Sequence, residues 1–494
     1  MTTMITRTVR LYAVFGIMMA TVAAVSCKKT DSAASPLTLA NITDTIPEGG
    51  GTIALSFNSQ AAWSVDSSGI GWLRLSQTSG GSGPATISLA APANASGIGR
   101  TVMLTINSTN GQSRRITVLQ FSQIFPSYNT TPIPGDVSGM SSTAAQLTAG
   151  IKLGWNIGNS LEAPGGETGW GNPVITQALI DLVKSSGFNA IRIPCAWNGH
   201  ADQTTAAIDT AWLRRVKEVV QYCINDGMYI LLNDHVNDGW LDCTATGARL
   251  DTIRAKQKAY WEQIATEMRD FDEHLMFGSA NEPNATDLPS STLLENYHQI
   301  FINAVRSTGG KNANRTLVIQ APSTSVDLAD YFIGVPGMPV DQVPKKLVVE
   351  VHWYSPANFA ILSADASWGN EWCYWGANFH SKDDSARNAT ANTEEGYVDA
   401  TMAYVKKRFI DNKIPFLIGE FGVPRHNATL TGHPQDSILS LNSRSHFFRY
   451  VTQSARANGI PAFLWDAYYD LIDRHNNVIY DQQALDSLRA GAGL

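Results

Sequence analysis

Glu282 and Glu420 are the residues whose type and setting could do chemistry. Each stands just past an apolar run that reads as a buried strand, in Ser279-Ala280-Asn281-Glu282-Pro283 and in Leu417-Ile418-Gly419-Glu420-Phe421-Gly422. Two carboxyl groups held in one cleft are what cleavage of a glycosidic bond needs. One protonates the departing oxygen, and the other attacks the anomeric carbon or activates water. Other polar or aromatic residues also stand where apolar runs stop: Arg192, His235, Asn281, His352, Tyr354 and Trp465. Taken singly, each has an ordinary reading. An arginine beside a strand is commonly half of a surface ion pair, and a histidine there is commonly a satisfied rim residue. Gathered at one end of one sheet, they would form a site.

The elements that must position them alternate. Strands are expected at 151–156, 190–193, 229–233, 275–278, 316–319, 347–351, 416–418 and 462–464. Helices are expected over 174–186, 209–226, 252–271, 293–308, 397–411 and 446–458. In the second of these, Leu213, Val216, Val219, Val220 and Cys223 fall on one face. Short unbroken apolar strands separated by helices fit a (β/α)8 TIM barrel, whose active site lies at the C-terminal ends of its strands. A doubly wound open sheet is the alternative fold. No Gly-x-Gly-x-x-Gly phosphate loop follows the first strand, which counts against it.

The first part of the chain has a different texture. From about Leu37 to Ser122, short alternating runs such as Thr52–Phe57, Ala85–Leu89, Thr101–Ile106 and Arg115–Gln120 are separated by Gly, Ser and Asn turns. This pattern predicts a small immunoglobulin-like β-sandwich over 37–122. Trp63 and Trp72 are expected inside strands, so core packing is favoured for them over a sugar platform. Residues 123–140, with Pro126, Pro132 and Pro134, read as a linker to a catalytic domain at 141–494. Residues 28–37 read as a polar tether.

Residues 1–27 carry a targeting signature. Arg7 and Arg10 precede an apolar run from Leu11 to Val25, which ends in Ala24-Val25-Ser26-Cys27. That ending resembles a bacterial lipoprotein cleavage box. It implies lipidation of Cys27, an extracytoplasmic location and a membrane anchor at the outer membrane or cell surface. An ordinary signal peptide or an uncleaved anchor is the alternative. No basic stripe is present, so nucleic acid is not an expected partner. A low charged fraction of 16% together with 13 Trp and 15 Tyr suits a neutral ring-shaped ligand such as a sugar. Of the remaining cysteines, Cys195 and Cys223 read as buried thiols. Cys243 and Cys373 lie in loops that could meet, and an oxidising compartment would allow a disulfide between them.

The motifs carry two resemblances. The segment from about Thr143 to Leu494 resembles glycoside hydrolase family 5. It does so through Asn281-Glu282-Pro283, Gly419-Glu420-Phe421-Gly422, the opening Gly154-Trp155-Asn156-Ile157-Gly158-Asn159-Ser160-Leu161-Glu162 and the following Glu167 to Pro173. The opening is similar to the subfamily that contains endoglucanases and xyloglucanases (subfamily 4). The resemblance implies Glu282 as general acid/base and Glu420 as nucleophile of a retaining enzyme, with Arg192 and Tyr354 beside the nucleophile. It further implies Asn281 on the sugar 2-hydroxyl, His235 and His352 lining the cleavage subsite, and Trp465 as a floor under the ring. It implies a β-glucan polysaccharide as partner, with β-1,4-glucan ahead of xyloglucan, mixed-linkage glucan and mannan, a monomeric enzyme, and no cofactor or metal. The pattern departs at Val236, where many members have a second histidine, and at Asn237, where they have Asp. The N-terminal segment resembles the BACON domain of surface glycosidases through Trp63, Trp72, Asn94, Arg100 and Val118-Leu119-Gln120, for which a spacer role is preferred. A glycan-binding protein without catalysis is the reading from another class, and it has no need of both glutamates with their supporting residues.

Overall fold

The computed structural model describes residues 37–494 except 68–69, 95, 97–98, 236–238, 428, 431–433 and 468–469. Cys27 therefore lies outside the described residues, as do Val236 and Asn237. The described chain divides into two compact units. One is built from the N-terminal strands up to Val118. The other runs from Leu119 to Leu494 and also takes in Ile46–Gly51 and Pro92–Thr101.

The N-terminal strands form a four-stranded and a five-stranded sheet. Their alternating pattern buries Leu55, Phe57, Val65, Ile87, Leu89, Leu104, Ile106, Ile116 and Val118. Trp63 lies in a strand and is buried, edge-on to Phe57 at 4.8 Å. Trp72 is half-buried and lies before the strand Arg74–Leu75 instead of inside one.

The second unit is a closed barrel of eight parallel strands. In chain order these are β1 Gly154–Ile157, β2 Ala190–Ile193, β3 Tyr229–Asn233, β4 Leu275–Gly278, β5 Leu317–Gln320, β6 Leu347–Trp353, β7 Phe416–Phe421 and β8 Ala462–Asp466. The outer helices are α1 Gln177–Ser185, α2 Thr210–Asn225, α3 Gly247–Met268, α4 Leu288–Ser307, α5 Glu395–Arg408, α6 Pro434–Ala457 and α7 Gln482–Ala492. Asp209 caps α2, and the face predicted for that helix is the one it buries. Between β5 and β6 the described chain has only 3₁₀ turns, at Pro322–Thr324 and Leu328–Phe332.

Side chains on these strands alternate between the helices and the barrel interior. The lower interior layer is apolar: Ala190, Leu231, Met276, Val318, Val348, Leu417 and Phe463 pack together. Gly154 belongs to this layer, and a Cβ there would overlap the ring of Phe463. Two residues further along the layer changes character, with Gly278 and Gly419 on β4 and β7 and larger, mostly polar residues on the other six strands. Asn156, Arg192, Asn233, Gln320, Glu350 and Trp465 replace the aliphatics. The barrel is thus a sealed apolar plug under a polar floor, which faces the C-terminal ends of the strands.

Cys195, Cys223, Cys243 and Cys373 are all buried free thiols. The disulfide that the sequence allowed between Cys243 and Cys373 is not formed. Cys243 packs with Leu241, Ile253 and Leu294, and Cys373 packs with Tyr374 and Leu430, in separate apolar clusters. The segment read as a linker carries a short strand, Ile133–Gly135, paired with Gly309–Gly310. The backbone amides of Tyr128 and Asn129 donate to the buried carboxylate of Glu262.

Candidate active site

Arg192 is the hub of the polar layer and is completely buried. Its Nη1 donates to Glu420 Oε1 at 2.7 Å and to Asn156 Oδ1 at 3.0 Å. Its Nη2 donates to Asn281 Oδ1 at 2.8 Å, and its Nε lies 2.9 Å from Glu350 Oε1. A planar guanidinium with five donors suits this radial arrangement, which a lysine could not reproduce. Tyr354 completes the hold on Glu420 by donating its hydroxyl to Oε2 at 2.9 Å. Glu420 is thereby fixed on both oxygens, at the level where β7 meets β6.

The register there explains how Glu420 comes to face the cleft. Val351 pairs with Ile418, but His352 pairs with Glu420, so β7 carries one extra residue at Gly419. A bulge of this kind re-aims the side chain that follows it. Gly419 also has to be a glycine, because a Cβ would overlap the Glu350 carboxylate. Its carbonyl accepts from Asn156 Nδ2 at 2.9 Å.

Glu282 stands across the cleft, with about half its side chain exposed. His352 bridges the two acids. Its Nδ1 is 2.7 Å from Glu282 Oε1 and 3.5 Å from Glu420 Oε2, while its Nε2 is 3.3 Å from Glu350 Oε1. Oxygens of Glu282 and Glu420 and a nitrogen of His352 all lie within 4.8 Å of one another. Retaining glycosidases hold their carboxyls about 5–5.5 Å apart, whereas inverting enzymes need about 6.5–9.5 Å to admit a water. The spacing is of the first kind.

The charges in this cluster are coupled. Burial opposes the charged imidazolium of His352, but Glu420, then Glu282 and Glu350, outweigh it and lift the group to about 9. Burial also works to raise Glu282, yet the hydrogen bond and charge of His352 leave it below its ordinary value. The negative charge of Glu420 alone would favour a protonated Glu282 in the empty cleft. The intervening imidazolium lies closer and carries the opposite sign. Burial, followed by the charges of Arg192 and His352, pushes His235 well below its ordinary value, so it is neutral.

An open cavity of about 430 Å³ joins these side chains and is lined by His235, Asn281, Glu282, Tyr354, Glu420 and Trp465. The His235 and Trp465 rings are nearly parallel, 6.0 Å apart. All eight residues picked from the sequence therefore belong to one locus. Of the barrel tryptophans, Trp155, Trp197, Trp353 and Trp375 are core, while Trp170 and Trp368 are exposed. Trp240 borders a neighbouring hollow of about 290 Å³ with Asp234 and His200. The residues missed in the sequence were Asn156, Gln320 and Glu350. Glu350 accepts from Gln320 Nε2 at 2.6 Å as well as facing Arg192 and His352. Their signal was available: a polar residue at an inward position of an otherwise apolar strand is costly unless it is paired.

Comparisons with known proteins agree with this geometry. The cellulase model of glycosyl hydrolase family 5 matches residues 156–470, and the viral BACON domain model matches 32–122. A xyloglucan-specific endo-β-1,4-glucanase of Bacteroides ovatus is 30% identical over 97% of this chain and 96% of its own. Endoglucanase B of Clostridium cellulovorans is 31% identical over 72% of this chain and 78% of its own. A Bacteroides ovatus family 5 xyloglucanase, solved with an XXXG heptasaccharide, aligns with a TM-score of 0.68 at 29% identity. That alignment covers 93% of this chain and all of that one.

Proposed function

Because the chain belongs to glycosyl hydrolase family 5, we propose that it is a retaining endo-β-1,4-glucanase acting on β-glucan polysaccharides. Glu420 is the nucleophile. The Arg192 guanidinium and the Tyr354 hydroxyl aim its two oxygens and stabilise its negative charge. Glu282 protonates the departing oxygen and later takes a proton from the water that releases the glycosyl-enzyme. The proton it needs is stored next to it. Moving the Nδ1 proton of His352 across the 2.7 Å hydrogen bond turns an ion pair into a neutral acid and a neutral imidazole. When Glu420 becomes an ester, it loses the charge that does most to hold His352 protonated. Asn281, oriented by Arg192, addresses the sugar 2-hydroxyl, and Trp465 with neutral His235 forms the floor and wall of the subsite.

The observation that carries this reading is the separation of the two carboxylates, with one fixed on both oxygens and the other half exposed. Proton NMR of the first-formed reducing ends tests it. Retention of the β-configuration is expected, and net inversion overturns the role of Glu420.

A narrower specificity for xyloglucan is the second reading. It is favoured because the relative that spans 97% of this chain is a xyloglucan-specific enzyme. Initial rates on carboxymethylcellulose, xyloglucan, lichenan and mannan in parallel separate the two. We further propose that the enzyme acts as a monomer outside the cytoplasm, tethered to a membrane through lipidated Cys27, with the sandwich as a spacer. Membrane fractionation of wild type and Cys27→Ala tests this, and equal release of both into the soluble fraction counts against it.

A further inference from the structure

Outside the cleft, among the described residues, one group of metal-ligating side chains is both mixed in type and buried. Glu371 and Cys373 lie in the long connection between β6 and α5, and His426 lies in the connection between β7 and α6. All three are buried, at 0%, 0% and 3% exposure. A carboxylate oxygen, the thiol sulfur and a ring nitrogen lie within 4.8 Å of one another. We propose that Glu371, Cys373 and His426 form a binding site for a zinc-class divalent cation, which ties the loop after β6 to the loop after β7.

Three observations favour a cation over a plain hydrogen-bonded cluster. The donor set is imidazole, carboxylate and thiol, the combination that borderline ions such as zinc select over magnesium or calcium. Two anionic ligands would neutralise a divalent ion in a pocket from which water is excluded. The carboxylate and the imidazole are also already aimed at each other: His426 Nδ1 faces Glu371 Oε1 at 2.6 Å. The second carboxylate oxygen of Glu371 is already held by the Thr429 hydroxyl, which fixes the carboxylate plane as outer-shell groups do in metal sites. Burial, then the charge of Glu371, pushes the Cys373 thiol up to about 12. Coordination reverses that: the sulfur–metal bond forms as the thiol proton leaves to solvent.

The fit asks for little movement. Zinc bonds of about 2.0–2.2 Å to nitrogen and oxygen place tetrahedral ligand atoms roughly 3.4 Å apart, so the Glu371–His426 pair has to open by less than about 1 Å. Three protein ligands leave a fourth coordination position open. None of the three touches the catalytic cluster.

Cobalt(II) titration of the full-length chain, stripped of metal with a chelator, provides the test. A thiolate-to-cobalt charge-transfer absorption that saturates at one equivalent and is displaced by zinc is expected. Cys373→Ser should abolish the band, Glu371→Gln should weaken cobalt affinity at least tenfold, and Cys223→Ser should leave both unchanged. Turnover of soluble glucan by each variant establishes that it is folded. Absence of the band from wild type, or its survival in folded Cys373→Ser, overturns the site.

Discussion

At the scale of single residues, the site depends on one proton shared between Glu282 and His352. Glu282→Gln should lower kcat on polysaccharide by about 10²–10⁴-fold, the usual contribution of a positioned acid. It should leave the glycosylation step on an aryl cellobioside with an acidic leaving group far less affected, because such a group departs without protonation. Burst kinetics on the two substrate types check this, and equal losses on both would contradict the assignment. The pH dependence follows with a definite sign. Below about 9 the pair keeps its proton, and as pH rises through that value the proton is lost, so activity falls on the basic side. His352→Gln leaves Glu282 to hold the proton alone. A carboxyl gives it up at lower pH, so the basic limb of kcat/KM should move to lower pH. A limb that stays in place would show that His352 takes no part in storing the proton.

At the scale of elements, the bulge in β7 is the device that turns Glu420 into the cleft while leaving room for Glu350 beneath it. Gly419→Ala should displace the Glu350 carboxylate and with it the Nε contact of Arg192. Overpacking of this kind costs about 1–3 kcal/mol of stability, and kcat should fall by more than the lost stability explains. Thermal melts paired with kinetics on the folded fraction measure both. The strands were legible from their apolar runs, and β2, β3 and β4 begin and end where the sequence placed them. The ends of β6 and β7 were not. His352 and Glu420 are polar residues that continue strands, and the apolar runs stop at them. The eight site residues were readable because they stand at such stops. Within the polar layer, Asn156 and Glu350 were hidden inside expected strands, and Gln320 stood just past one. Trp72 was assigned to a strand because aromatic residues favour strands, although it lies just outside one.

At the scale of the whole molecule, residues 123–140 belong structurally to the barrel unit. A chain beginning at Gln123 should keep the soluble-glucan kcat/KM of the full-length enzyme. One beginning at Ser141 removes the two amides that satisfy buried Glu262. A buried carboxylate left with only the 3.4 Å contact of Lys258 loses about 1–3 kcal/mol of hydrogen bonding, so this shorter chain should melt at lower temperature. Equal melting temperatures for the two would mean that water replaces those donors at no cost.

Gly154 and Phe463 divide one volume at the bottom of the barrel: the ring takes the space that a side chain on its neighbour would need. Their sizes are therefore exchangeable only together. A methyl group introduced at the first position should be tolerated when the second is trimmed to leucine, and not otherwise. Anyone redesigning this scaffold can vary its loops independently, but has to treat these two sites, far apart in the chain, as a single variable.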